Sequence, residues 1–334
     1  MMKTKWYFFI LIIIIVSVLL NIYINHREDS PTKIGVIMMG NSRVEKLTGL
    51  KKGIRELGYK EDAIEFDVKN AMDNEKTLQE KIDELIKEKP ALIVTMGGVE
   101  TLALKEKMEE QKTKIPVVFA GVAAPKEIGL IKDYRSPGGL FTGINNYHTS
   151  LAGKRLELLH QLVPSAKRFF VLYDKKIKVS VLSLENTIDA AKSLDLPIIP
   201  VNVSDPKFTE FLSENLQKND SLLMVPGFRM ESLTEKIANI IIENKIPAMG
   251  VYGNEVEEGI LASYGSSFEE QGYQAARYVS RILQGNSPAD LPVELPDSIH
   301  FFINTKVKDE LAIELNSEIT NLAEFIKPER EGAK

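Results

Sequence analysis

The 334-residue chain reads as an α/β protein of two doubly wound, Rossmann-like lobes with a hinge and a cleft between them, preceded by an N-terminal membrane helix. Three observations predict this. Short apolar runs alternate with amphipathic helical segments from residue 33 onward, the alternation restarts near residue 150, and one segment occurs twice. The repeated segment is TKIPVVFAG at 113–121 and NKIPAMGVYG at 244–253. Ile115 follows Gly97 by 18 residues, and Ile246 follows Gly227 by 19. Each unit reads strand, Gly-containing turn, helix, Lys-Ile-Pro, strand. Alternation of this kind marks a parallel sheet covered on both faces, and its repetition at matched spacing indicates a duplicated architecture.

The N-terminus carries Lys3 and Lys5, then an apolar run from Trp6 to Ile24 broken only by Ser17 and Asn21. Those 19 residues would rise about 28 Å as a helix, close to the hydrocarbon thickness of a bilayer. The lysines stay inside, so the rest of the chain lies outside the cell. No Ala-x-Ala cleavage pattern follows the run, and no Cys is present to carry a lipid. Residues 1–28 are therefore read as an uncleaved anchor in preference to a cleaved signal, with HREDSPTK as a polar linker.

The elements follow in order. KIGVIMM is a strand. SRVEKLTGLKKGIRELG is a helix with Val44, Leu47, Leu50, Ile54 and Leu57 on one face, stopped at Gly58. IEFDVKN is a strand, and NEKTLQEKIDELIKEK a helix with Leu78, Ile82, Leu85 and Ile86 inward. ALIVTM, the helix VETLALKEKMEE and the strand IPVVFAG complete the first unit. The second runs through the helix LAGKRLELLHQLV, strand RFFVLYD, helix SLENTIDAAKSLD, strand PIIPVNV, helix FTEFLSENLQK, strand SLLMVPG, helix SLTEKIANIIIENK and strand IPAMGVYG. The tail NSEITNLAEFIKPEREGAK adds one short helix.

Composition excludes several functions. Apolar residues make up 44% and charged residues 27%, enough for a sizeable core. A net charge of -5 gives no electrostatic footprint for nucleic acid. Without Cys there is no disulfide framework and no thiolate site. The four His are scattered, with no zinc-ligand spacing. No P-loop, Gly-x-Gly-x-x-Gly or Gly-x-Ser-x-Gly motif occurs, and Glu255, Glu257 and Glu258 read as a solvated loop. The chain is thus read as neither an enzyme nor a metal or cofactor protein.

In open parallel sheets ligands lie beyond the carboxyl ends of the strands. Here those ends are MMGNS, TMGGVE, FAGVA, VPGFR and VYGN, where Gly lets backbone approach a ligand and helix N-termini offer free N–H groups. Four further stretches, IPVVFAGVAAPKEIGLI, SPGGLFTGINNY, LELLHQLVPSAKRFFVLYD and GILASYGSSFEEQGYQAARYVSRILQGNSPADLPVE, resemble the ABC-transporter substrate-binding proteins of the tryptophan/tyrosine type, which have a type I periplasmic-binding-protein fold. The last is the most specific: ASYG, a Gly four residues into a helix, then G-x-x-P-x-D-L-P-V-E.

The resemblance implies a first lobe of 33–145 plus 259–288 and a second of 146–258 plus 289–326. It also implies a solute in the cleft, an amino acid or related carboxylate or aromatic, and an ABC permease as partner. The same lobes could instead serve as a membrane-anchored ligand sensor that signals through another protein.

The expected cleft residues are Asn41 and Ser42 after the first strand; Gly97, Gly98 and Val99 after the third; Gly121 after the fourth; and Asn145, Asn146 and Tyr147 at the hinge. In the second lobe they are Asp174; Gly227, Phe228 and Arg229; Tyr252 and Asn254; and Tyr264. Two turns depart from the family pattern. Pro226-Gly227-Phe228-Arg229 stands where members carry a Pro-x-Asp-Asn turn, and Asp174-Lys175-Lys176 where many carry an Asn-Pro turn. Arg229 there could clamp a carboxylate bidentately.

Overall fold

The computed structural model describes residues 31–327 and the stretch 14–17. Apart from 14–17, the expected anchor over 6–24 lies outside the described residues. Among the described residues, no helix is long and apolar enough to cross a membrane.

The first sheet holds β1 (Thr32–Met38), β2 (Ile64–Asn70), β3 (Leu92–Thr95), β4 (Val117–Val122) and β5 (Phe141–Asn145) in the order β2-β1-β3-β4-β5, all parallel. It is covered by α1 (Val44–Glu56), α2 (Glu75–Glu88) and α3 (Gly98–Gln111). The second chain segment supplies α4 (Ala152–Leu162), β6 (Arg168–Tyr173), α5 (Lys178–Leu194), β7 (Ile198–Asn202), α6 (Phe208–Asn215), β8 (Asp220–Met224), α7 (Phe228–Ser232), α8 (Thr234–Asn244), β9 (Ala248–Gly250), α9 (Gly253–Glu257) and β10 (Ala262–Gly265). Then come α10 (Phe268–Leu283), β11 (His300–Asn304), α11 (Thr305–Leu311), α12 (Ser317–Thr320) and β12 (Glu324–Ile326).

The second sheet runs β12-β11-β10-β9-β8-β6-β7, with only β10 and β11 antiparallel among its described pairs. Its stretch β7-β6-β8-β9-β10 repeats the order β2-β1-β3-β4-β5. The echoed segments take the same part in both copies. The helices before them end on left-handed Lys112 and Lys245, each at φ 53°. The Ile93 N–H donates to the Pro116 carbonyl and the Leu222 N–H to the Pro247 carbonyl, both at 2.9 Å.

Helix α2 forms as its periodicity requires. Leu78, Ile82, Leu85 and Ile86 are buried, and the Asn74 side chain accepts from the Thr77 N–H as N-cap. Helix α1 departs from the expected face. Leu50 and Ile54 are buried, but Val44 and Leu57 are exposed, and the covered stripe includes Lys46, Gly49 and Gly53. The reason is α10, which crosses α1 backbone to backbone. A Cβ at Gly49 would lie 1.9 Å from the Glu269 carbonyl, and one at Gly272 would lie 1.8 Å from that of Lys46. This contact explains the Gly four residues into the helix.

The sheet pairing moves the expected lobe limits. Residues 259–267, expected in the first lobe, contain β10, which pairs with β9 and β11 in the second sheet. Residues 289–294, expected in the second lobe, lie on the first: Leu291 and Val293 enter its core, and Glu294 bridges Ile144. Three crossovers join the lobes, at 146–151, 266–267 and 295–299. Three helical readings also change. Helix α5 begins at Lys178, ahead of the expected SLENT; the helix after β8 breaks into α7 and α8; and β12 follows α12 in the tail.

Beside the first crossover lies Arg155, a fully buried cation without a carboxylate partner among the described residues. Its Nε donates to the Tyr264 carbonyl at 2.6 Å, its Nη1 to the His148 carbonyl at 2.9 Å, and its Nη2 to His148 Nδ1 at 2.9 Å. Burial pulls Arg155 down to about 10. Burial, then Arg155, holds His148 well below the usual histidine range, so His148 is a neutral acceptor.

Candidate ligand cleft

The carboxyl ends of the two sheets face one another across a cavity of about 360 Å³. Its first-lobe wall is Val99, Leu102 and Ala103 on α3, with Ala123 and Ile128 from the loop after β4. Its second-lobe wall is Ile177 and Val179 after β6, with Pro226 and Phe228 after β8. Two helix N-termini point inward, that of α3 at Gly97 and that of α7 at Gly227.

Charged groups gather at the Gly97 end. Arg43 Nη2, at the entry to α1, donates to Glu231 Oε1 on α7 at 2.9 Å, with side-chain exposures of 7% and 4%. Ser42 Oγ donates to Glu231 Oε2 at 3.1 Å. Farther out, Lys178 Nζ donates to the Glu127 carbonyl at 2.5 Å. All three bonds cross the cleft, so the lobes are closed on one another. Burial lowers Arg43, but Glu231 and Glu100 more than reverse it and keep the guanidinium charged. Burial pushes Glu231 up against the pull of Arg43 and Lys46.

Beneath Gly97 lies Glu100, in the first turn of α3 and fully buried. A Cβ at Gly97 would meet its two oxygens at 3.1 and 3.2 Å and Arg43 Cζ at 3.3 Å. Among the described residues, neither Glu100 oxygen nor Arg43 Nε has a hydrogen-bond partner. Buried polar groups without partners cost free energy; Arg43 lines the cavity, whereas Glu100 lies behind Gly97, outside its lining. Lys46 Nζ, also fully buried, donates to the Ala120 carbonyl at 2.8 Å and lies 5.0 Å from the Phe268 ring. Burial, then Arg43, holds Lys46 well below the usual lysine range. Tyr252 packs between His148 and Phe268, and burial pushes its hydroxyl up.

Of the residues expected in the cleft, Gly97, Gly98, Val99, Gly121, Asn146, Gly227, Phe228 and Tyr252 line the cavity. The others do not. Asn41 is exposed and accepts from Asn70 Nδ2. Ser42 turns to Glu231, and neither it nor Asn41 caps α1. Asn145 closes its own turn by accepting from the Tyr147 N–H, and Tyr147 is exposed at φ 63°. Asp174 is buried and accepts from Arg229 Nε at 2.8 Å, a pair within the second lobe, and Arg229 does not line the cavity. Asn254 lies in α9, outside the cavity wall, and Tyr264 packs on Phe301. Glu255, read as a solvated loop residue, is fully buried: its Oε2 accepts the Val251 and Tyr252 N–H groups at 2.5 and 2.9 Å. Arg43 and Glu231 line the cavity and were not expected there; Lys46 and Glu100 are buried beside them, outside the lining.

The sequence profile described as ABC transporter substrate binding protein matches residues 32–327. The chain is 28% identical over 258 residues to a tyrosine-binding protein of Clostridioides difficile strain R20291, across 77% of this chain and 73% of that one. It resembles an ABC domain from Streptococcus pneumoniae solved in complex with L-Trp, with a TM-score of 0.80 and 24% identity over 89% of this chain and 99% of that one. It also resembles the ligand-free, open structure of a substrate-binding protein with adhesive properties from Clostridium difficile, with a TM-score of 0.68 and 25% identity over 89% and 100%. The chain therefore belongs to the ABC transporter substrate-binding protein family.

Proposed function

We propose that this chain is the extracytoplasmic solute receptor of an ABC importer, held at the membrane by residues 6–24, and that its interlobe cleft takes an amino acid with an aromatic or large apolar side chain. The observation that carries the proposal is the division of the cleft into an apolar slot between Val99, Leu102, Val179 and Phe228 and a charged end at Arg43 and Glu231, whose side chains are nearly buried. A zwitterion with an apolar side chain satisfies both halves: the ammonium answers Glu231, and the carboxylate answers Arg43 and the N–H groups of the α3 N-terminus. Two relatives, named for tyrosine and solved with L-Trp, support the same class. The better superposition on the L-Trp complex than on the open structure accords with closed lobes.

Solute uptake follows from closure: the lobes shut on the ligand, and the permease takes up the closed form. The test is calorimetric titration of the full chain in nanodiscs with L-Trp, L-Tyr, L-Phe, L-Leu, a nucleoside and a hexose. Saturable binding of the aromatic amino acids, weaker binding of Leu and none of the last two is expected. Binding confined to the nucleoside or hexose would overturn the assignment. Uptake of the bound solute by vesicles carrying the permease separates import from sensing.

A further inference from the structure

We propose that the strand-start end of the first lobe carries a second binding surface, a lysine-rimmed groove that docks on anionic lipid headgroups of the membrane to which the chain is tethered. This rests on the reading of residues 6–24 as a membrane anchor. The groove, of about 550 Å³, runs between the last turns of α3 and the loop 129–141. Leu130, Ile131 and Phe141 form its floor, and Lys105, Lys112, Lys114 and Lys132 its rim. Glu109 is the one carboxylate in the lining, and Lys105 pairs with it at 3.0 Å. Among the described residues, Lys112, Lys114 and Lys132 form no ion pair, so the groove keeps three uncompensated positive charges on a chain of net charge -5.

Its place in the fold names the partner. Strand starts align along one edge of the first sheet: the Ala91 N–H donates to the Lys33 carbonyl, Ile93 to Pro116, and Val117 to Leu140. Thr32, where the chain arrives from the anchor, lies on that same edge. Strands are spaced about 4.8 Å apart, so β4 begins about 10 Å from β1 and β5 about 14 Å. The seven residues 25–31 reach at most about 25 Å. The anchor therefore holds this end of the lobe close to the headgroups, while the cleft opens at the opposite, carboxyl end of the same strands. Free ammonium groups over an apolar floor suit a phosphate-bearing surface, where lysine stems lie on apolar atoms and their heads reach the phosphates.

The absence of native Cys makes the test site-specific. A Cβ at Gly139, on the groove, meets nothing within 4 Å, so Gly139→Cys accepts a fluorophore there, and Ser193→Cys at the end of α5 places one on the other lobe. The full chain is reconstituted into phosphatidylglycerol or phosphatidylcholine vesicles containing a headgroup spin label. We expect quenching at 139 and not at 193, only in phosphatidylglycerol, weakened by salt and lost in Lys114→Glu/Lys132→Glu while the chain still floats with the vesicles. Flotation without quenching at 139 overturns the proposal. Equal quenching in both lipids overturns it too, because the short tether alone would then account for proximity. Failure to float overturns the anchor reading and the proposal with it. Solute binding, measured separately, is indifferent to all of these outcomes.

Discussion

At the end of β4 the turn 120–123 closes over the Lys46 ammonium, which donates to the Ala120 carbonyl; at the end of β9 the turn 251–252 closes over the Glu255 carboxylate, which accepts two backbone N–H groups. These are the ends of the two echoed segments. The scaffold is duplicated, yet one copy presents carbonyls to a buried lysine and the other presents N–H groups to a buried glutamate. The same opposition holds at the cleft floor, where the first lobe brings Arg43 and the second brings Glu231. Duplication thus supplies two similar backbones, and divergence at their strand ends makes them electrostatic complements. In this structure the opposite charges meet across the cleft.

The strongest test of this complementarity is Arg43→Ala. It leaves Glu231 buried without its cation, and breaking a buried pair from one side costs about 3–5 kcal/mol. The cost falls on the closed form, because the pair crosses the cleft. Solute affinity should fall by roughly two to three decades, and small-angle scattering should show the ligand-treated chain more open than the parent. Glu231→Ala should act in the same direction. Parent-like affinity in both variants would mean that the lobes close for another reason.

The opposed turns also make opposed pH responses. Burial raises Glu255 from 4.5 to about 7. The folded state therefore binds its proton more tightly than the unfolded state does. The stability linked to this group is complete below pH 4.5 and lost as pH rises through about 7, at most about 3 kcal/mol in all. Lys46 is lowered, so its contribution rises with pH between its folded value and the usual lysine value of 10.5. Urea unfolding of Glu255→Gln across the window from pH 4.5 to about 7 set by this shift should lose the downward slope seen in the parent. Lys46→Met should remove the upward slope on the alkaline side. An unchanged slope in Glu255→Gln would assign the acid-side response to other groups, of which Glu258, raised by burial to about 7, is the first candidate.

A third comparison concerns the equivalent turns after β3 and β8. Both Gly97 and Gly227 have extended backbones that any residue can adopt, so only space separates them. A methyl at Gly97 presses on Glu100 and Arg43 at 3.1 to 3.3 Å, whereas one at Gly227 finds Ser180 at 3.7 Å. Gly97→Ala should cost about 1–2 kcal/mol, and Gly227→Ala should stay within about 0.5 kcal/mol. Thermal unfolding of the two variants side by side reads the difference.

The sheets and most helices were legible because apolar periodicity and Lys-Ile-Pro junctions are local signals. The face of α1 was not, because it is set by α10, more than 200 residues away in sequence. The cavity lining was legible where Gly marks a strand end, at Gly97, Gly121 and Gly227. The charged floor escaped because a charged residue is expected to face water. A signal was nevertheless present. Lys46 lies one helical turn before Leu50 and two before Ile54, and Glu100 stands in the same relation to Leu104 and Met108. Each is a charge on the stripe its helix buries, in the first turn after a strand. Glu231 offered no such signal, because it depends on the break between α7 and α8 that periodicity did not mark.

Arg229 gives the smallest effect and the finest discrimination between the lobes. Arg43 spans the cleft, whereas Arg229 pairs with Asp174 inside the second lobe. Both partners belong to the second lobe, so loss of the pair should leave the closing equilibrium nearly untouched. Arg229 is 37% exposed, and water screens much of the attraction. The cost of Arg229→Ala comes instead from Asp174, fully buried and left with the Lys176 N–H at 2.9 Å. About 1 kcal/mol of stability should go, a shift in Tm of about 2–4 °C for a lobe of this size. Solute affinity should change by less than about threefold, roughly 0.6 kcal/mol. Arg229→Lys, which keeps a cation near Asp174, should recover part of the Tm. A tenfold or larger loss of affinity with an unchanged Tm would reverse the assignment and return Arg229 to the ligand, making the second lobe a contributor of both signs of charge to the cleft.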